Sequence, residues 1–156
     1  MVPYMVTDLA AYLDLSEHFY FINVTTGGYG ITIDESLGSL SYLCGLLNSS
    51  LLQFFLRCVS SPFHGGYIAA NRQFLERLPI YPINFRDRRD RDRYDQIEDL
   101  AKRMQTLHKQ ISSIKNPHDM DTLQRQIDGA QRQINEIVYL LYGLSDKEIQ
   151  IVEEAR

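Results

Sequence analysis

The residues of this chain whose types and spacing suit chemistry lie together in His64-Gly-Gly-Tyr-Ile-Ala-Ala-Asn-Arg-Gln-Phe-Leu-Glu-Arg-Leu-Pro-Ile80. Glycines at 65 and 66 permit positive φ and close backbone approach. Tyr67 has a ring that stacks and a hydroxyl that hydrogen-bonds. Asn71 and Gln73 each carry the paired donor and acceptor that fit adenine, and Arg72 has the fork that fits guanine bidentately. Behind them, Phe74, Leu75, Leu78 and Ile80 form an apolar anchor. The chemistry that suits this set is binding: a flat polar partner, such as the edge of a nucleic-acid base, met beside a fixed point. A plainer reading is a strand followed by a one-turn helix capped by Asn71, with Arg72 and Gln73 merely solvated. Composition alone leaves both open.

Catalytic chemistry has less to stand on. Nucleophile, histidine and acid assemble in space rather than in sequence, but His18, His64, His108 and His118 sit in unpromising places, His108 on a helix surface and His118 in a turn. No HExxH, paired CxxC or clustered His/Asp/Glu set points to a metal. Carboxylate pairs such as Asp34/Glu35 and Glu153/Glu154 read as ordinary turn and terminus residues. The expectation is no catalytic residue and no metal ligand. Thr25-Thr-Gly-Gly-Tyr-Gly30 has glycines but no following Lys-Ser/Thr and no helix directly after it, so it reads as a turn rather than a phosphate loop.

Length and charge narrow the class. With 156 residues and 44% apolar content, the chain suffices for one domain, or a small globular part with a helical appendage, and not for a large multi-domain enzyme. A net charge of −4 argues against coating nucleic acid over the whole surface. The charge is unevenly spread. Residues 61–93 hold seven Arg against four acids, whereas acids exceed bases on either side. Much of that excess is Arg86-Asp-Arg-Arg-Asp-Arg-Asp-Arg93, where interleaved Asp residues are expected to pair with the arginines and leave a solvated segment at a helix start. The alternative is a phosphate-contacting patch.

The elements that must position these residues follow from periodicity. Phe19–Val24 and Tyr29–Ile33, separated by Thr25–Gly28, carry a β-hairpin signature. Leu37–Val59 reads as one buried core helix, because Ser39, Asn48, Gln53 and Arg57 interrupt it too often for a membrane span. Cys44 and Cys58, on that helix and about 20 Å apart at 1.5 Å per residue, are too distant to bridge. With no disulfide framework or secretory signal, a cytoplasmic location without membrane attachment is expected.

After Pro79 and Pro82 the chain turns helical. Ile97, Leu100, Met104, Leu107, Ile111 and Ile114 form one heptad seam, and Met120, Leu123, Ile127, Ala130, Ile134, Ile137 and Leu141 a second. Between them, Asn116 suits an N-cap, Pro117 the first helical position and Asp119 the first turn. So short a connection makes the helices antiparallel. Gly143 suits a C-cap, and Ser145-Asp-Lys-Glu148 a capping box that opens a last helix. The expected class is α+β: a small mixed α/β recognition subdomain over 1–92, then an antiparallel two-helix coiled-coil hairpin with a short C-terminal helix over 93–156.

Four pieces in this order, Gly45-Leu-Leu-Asn-Ser-Ser-Leu-Leu-Gln-Phe-Phe55, Gly65-Gly-Tyr67, Phe74-Leu-Glu-Arg-Leu-Pro-Ile80 and Ile134-Asn-Glu-Ile-Val-Tyr-Leu-Leu-Tyr-Gly-Leu-Ser-Asp-Lys-Glu-Ile149, make the chain resemble a known family. That family is the TaqI-like C-terminal specificity domain, or target recognition domain, of type IIG restriction–modification enzymes. The resemblance covers nearly the whole chain. It implies a module that chooses the double-stranded DNA sequence for an upstream N6-adenine methyltransferase using S-adenosylmethionine, often with a nuclease. The sequence departs from such enzymes in lacking their Asn/Asp-Pro-Pro-Tyr/Phe motif, glycine-rich cofactor motif and PD…ExK pattern. It therefore reads as a C-terminal fragment that binds no cofactor and catalyses nothing by itself. The resemblance brings Tyr67, Asn71, Arg72 and Gln73 forward as DNA contacts, with His64 and a hairpin tip at Tyr29 behind them. The rival reading is a helical protein-interaction or spacer module without DNA contact.

Overall fold

The computed structural model describes residues 1–14, 28–34, 38–114 and 116–155. The expected strand Phe19–Val24 and the turn residues 25–27 lie outside them. Of the second expected strand, Tyr29–Ile33, only Tyr29 lies in a strand: with Gly28, expected in the turn, it forms β3, which runs antiparallel to β1, Val2–Pro3, with Val2 opposite Tyr29, while 30–33 have no regular structure. Tyr29 is thus a paired strand residue rather than a hairpin tip. Gly28 makes the pairing possible: a Cβ there would stand 2.6 Å from the Val2 carbonyl oxygen. The neighbouring strand β2, Met5–Val6, pairs antiparallel with β4, Ile68–Ala69. Val2, Val6, Ile68, Ala69 and Ala70 are buried, so this strand end of the chain is also part of the core.

The apolar run expected as one helix over 37–59 is two helices, α1 (Leu40–Leu47) and α2 (Ser50–Val59), bent by 64°. The cause is the polar run Asn48-Ser49-Ser50. Ser49 is the N-cap of α2, accepting from the Leu52 N–H, and its hydroxyl donates back to the Leu46 carbonyl at 2.6 Å. Side chains from elsewhere complete the break: Asn48 exchanges two hydrogen bonds with the backbone of Ala11 at 2.8 and 2.9 Å, and Gln131 donates to the Asn48 carbonyl. Every backbone group that the bend exposes to the core needs such a partner. Among the described residues no single helix is long and apolar enough to cross a membrane. Both cysteines are free, and the bend removes the straight-helix spacing expected between them.

Past a one-turn helix α3, Arg72–Leu75, the chain enters α4, Arg88–Ile111, capped by Asp87. The connection to α5, Pro117–Tyr142, is built as its residue types require. Asn116 caps the helix by accepting from the His118 N–H, Pro117 occupies the first turn, and Gly143 closes the helix at φ 67°. Ser145 and Glu148 form the capping box of α6, Asp146–Glu154. Helices α4 and α5 share the most extensive contact between described elements, followed by α1 and α4. Gly45 permits that second approach, since a Cβ on it would meet Ile97 Cγ2 at 2.6 Å. Burial along the two seams is graded. Ile97, Leu107, Ile127, Ala130, Ile134, Ile137 and Leu141 are buried, whereas Leu100, Met104, Ile111, Ile114 and Leu123 are half-buried and Met120 is exposed. One core cluster runs from Val2 through α1 and α2 to Ile97, Ile134 and Leu141, and so passes through residues on both sides of position 92.

Candidate functional site

Residues 61–80 are laid over the end of α2 as a loop on a fixed base. The Phe63 N–H donates to the Tyr67 carbonyl at 2.7 Å, and the Ala69 N–H to the Ser61 carbonyl at 3.1 Å, so the chain folds back on itself around the 3-10 turn His64–Gly66. Gly65 and Gly66 have φ of 77° and 79°, a region costly for any residue with a Cβ. Gly65 also lies under the Tyr67 ring, which a Cβ would meet at 3.6 Å. The outcome is two aromatic rings offered to solvent on either side of the turn: Phe63 and Tyr67 are each 44% exposed. His64 between them is exposed as well.

The anchor behind this loop holds where the apolar spacing places it, with one exception. Phe74 and Leu78 are buried and Leu75 packs against the core, but Ile80 is exposed. Its place is taken by hydrogen bonds. The Tyr142 hydroxyl donates to the Pro79 carbonyl and accepts from the Tyr81 N–H, and the Tyr42 hydroxyl donates to the Tyr81 carbonyl at 3.0 Å. A polar backbone pinned from both sides cannot bring Ile80 inward. Burial raises the Tyr142 phenol to about 12, and the Tyr42 phenol is pushed up for the same first reason.

The four leading candidates differ in what they present. Tyr67, Arg72 and Gln73 are exposed. Arg72 lies along Glu76, with Nε 2.5 Å from Oε1, an exposed pair one helical turn apart that a ligand can replace. Asn71 takes the N-cap position of α3 with no side-chain capping bond, and its Oδ1 is shielded from solvent without a partner among the described residues. It is the least available of the four to a base edge. Tyr29 is half-buried, its ring centroid 6.4 Å from that of Tyr4.

Residues outside that set contribute too. Phe63 carries no sequence signal of its own, being a lone aromatic after Pro62 and ahead of His64 and two glycines. The arginine-rich segment departs from the expected local pairing. Asp87 caps α4 by accepting from the Arg89 N–H at 2.7 Å. Asp90 is buried and accepts from the Asn84 N–H at 3.2 Å and the Tyr81 hydroxyl at 3.4 Å. Only Asp92 faces an arginine, Arg88, at 3.8 Å. No other ion pair forms within 86–93 among the described residues. Nor do the described residues gather three or more His, Cys, Asp or Glu as a metal site.

In sequence, the chain is similar to part of a restriction–modification protein. The type II restriction enzyme and methyltransferase RM.Eco57I of Escherichia coli is 28% identical over 135 residues, which cover 83% of this chain and 13% of that protein. The chain thus spans a small part of that relative's length. No family model and no solved structure matches it.

Proposed function

We propose that this chain is a DNA sequence-recognition piece of a restriction–modification enzyme, of the TaqI-like C-terminal specificity type. It directs an N6-adenine methyltransferase partner, and a nuclease where the whole protein carries one, to a target in double-stranded DNA in the cytoplasm. The observation that carries this reading is the similarity to a restriction enzyme and methyltransferase over 83% of the chain. The exposed loop on a pinned base supports it further. Base-reading side chains work best when a rigid scaffold carries them, and here Arg72 and Gln73 follow directly from a loop whose anchor is buried. Tyr67 and Phe63 offer stacking faces, and His64 stands between them. Asn71, at the N-cap position of α3 with its Oδ1 shielded from solvent and without a partner among the described residues, is the least accessible of these contacts. In this reading S-adenosylmethionine belongs to the methyltransferase partner. The glycine turn His64–Gly66 of this chain leads into a strand instead of a helix N-terminus, and does not suit that cofactor.

A second reading, a helical docking module built on α4 and α5 as an antiparallel coiled-coil hairpin with α6 beside it, is favoured by Leu140 of α5 and Ile151 of α6, which are 62% and 55% exposed. Selection from a random duplex library separates the two. Enrichment of a short motif by the purified chain supports recognition, and failure to enrich any motif at low salt leaves the docking module.

A further inference from the structure

We propose that Arg89 and Arg93 form a phosphate clamp that grips the backbone of duplex DNA while the loop of Arg72 and Gln73 reads it. This rests on the recognition reading above and assigns it a second contact surface.

The placement of these two side chains is unfavourable for the isolated chain. They are four apart on α4 and so lie side by side, where like charges repel. They also sit in the first two turns, at the positive end of the helix dipole, where cations are disfavoured. The nearby acids relieve them only in part. Asp87 is used as the cap, Asp90 is turned into the protein, and Asp92 is paired with Arg88. Neither Arg89 nor Arg93 forms an ion pair among the described residues. An anionic partner with repeated charge, such as a phosphodiester backbone, satisfies both at once.

The link to the reading loop is rigid. Between Leu78 and Asp90 the chain is held by Tyr142, Tyr42 and the Asp90 carboxylate, with Tyr94 stacked 4.9 Å from Tyr42 and 5.2 Å from Phe85. A phosphate held at Arg89 and Arg93 therefore adds to the grip on the duplex and leaves the choice of base to Arg72 and Gln73. Contacts to phosphate position a protein, and contacts to bases specify the site.

The test is duplex binding by the full chain, measured by fluorescence anisotropy over a salt series with several unrelated sequences. The double variant R89Q/R93Q should lower the slope of log affinity against log salt by about two units, equally on every sequence, while R125Q, on α5 and paired with Asp121, leaves it unchanged. R89K/R93K, which keeps both charges, should retain the slope. Thermal stability of R89Q/R93Q should equal or exceed that of the parent chain, since repulsion is removed. A slope unchanged in R89Q/R93Q overturns the clamp but not the recognition reading. A changed sequence preference in that variant overturns it too, because the residues would then touch bases. If the parent chain binds no duplex at any salt, both readings fall together.

Discussion

Asn135 of α5 and Ser50 of α2 exchange two buried hydrogen bonds. The Ser50 N–H donates to Asn135 Oδ1 at 3.0 Å, and Asn135 Nδ2 donates to Ser50 Oγ at 2.8 Å. This pair ties the bend after α1 to the long helix that packs across it, and Gln131 reinforces it through the Asn48 carbonyl and Asn135 Oδ1. Asn135→Leu keeps the branched shape of the side chain but leaves a buried N–H and hydroxyl without partners. The expected loss is about 1–3 kcal/mol, read from urea unfolding at neutral pH. A change within a few tenths of a kcal/mol would show that the bend is not held by this side chain.

Burial along the helical pair is unequal, and the energetic penalty of a charge should follow it. Ile134 lies fully inside the core, whereas Ile111 near the connection is half-buried. Ile134→Asp should cost several kcal/mol, about as much as an unpaired buried charge does, while Ile111→Asp should cost far less because water reaches it. Thermal unfolding of the two variants side by side decides this. Equal losses would mean that the seam is packed to its tip.

Much of this architecture was legible in the sequence, because caps act locally. Asn116, Pro117, Gly143 and Ser145 with Glu148 bring their own partners within four residues, so residue type alone fixes the ends of α5 and α6. The break at Asn48–Ser50 was not legible, since its partners Ala11, Gln131 and Asn135 arrive from distant parts of the chain. The exposure of Ile80 was hidden for the same reason: it depends on Tyr142, sixty-two positions further on. Local pairing within Arg86–Arg93 failed as an expectation because Asp90 found a better partner set inside the protein. The candidate loop was legible as a set of residue types, but the turn that faces Phe63 and Tyr67 outward was not.

Tyr142 makes stability sensitive to alkali. Burial, partly offset by the Tyr81 N–H, lifts its phenol from the ordinary value near 10 to about 12. The fold thus favours the neutral form. Its contribution is fully present below pH about 10, where the unfolded phenol is still protonated, and is lost as pH rises through about 12. Tyr142→Phe removes the donor to Pro79 and the acceptor for Tyr81, and should cost about 1 kcal/mol at pH 8. Between pH 8 and pH 11 the parent chain should lose more stability than Tyr142→Phe does. Equal losses in urea unfolding would assign the alkaline sensitivity to other groups.

Base reading by the loop should be separable from the grip on phosphate. The Arg72–Glu76 pair is exposed on both sides, so it offers little resistance when a guanine edge presents two acceptors to the guanidinium. Arg72→Ala should then weaken binding to the preferred duplex by about tenfold to a hundredfold, with the loss concentrated at one base pair. Glu76→Gln releases the guanidinium and should tighten binding without altering which base is chosen. Gln73→Ala should relax preference at a neighbouring position, since its amide is the side chain of the loop best matched to adenine. Affinities on a panel of singly substituted duplexes at two salt concentrations read all three. A uniform loss on every duplex with a shallower salt dependence would make Arg72 another phosphate contact. If Arg72→Ala and Gln73→Ala both leave affinity and preference intact, these side chains are solvated. Sequence selection would then have to come from the rings of Phe63 and Tyr67 or from residues beyond this loop.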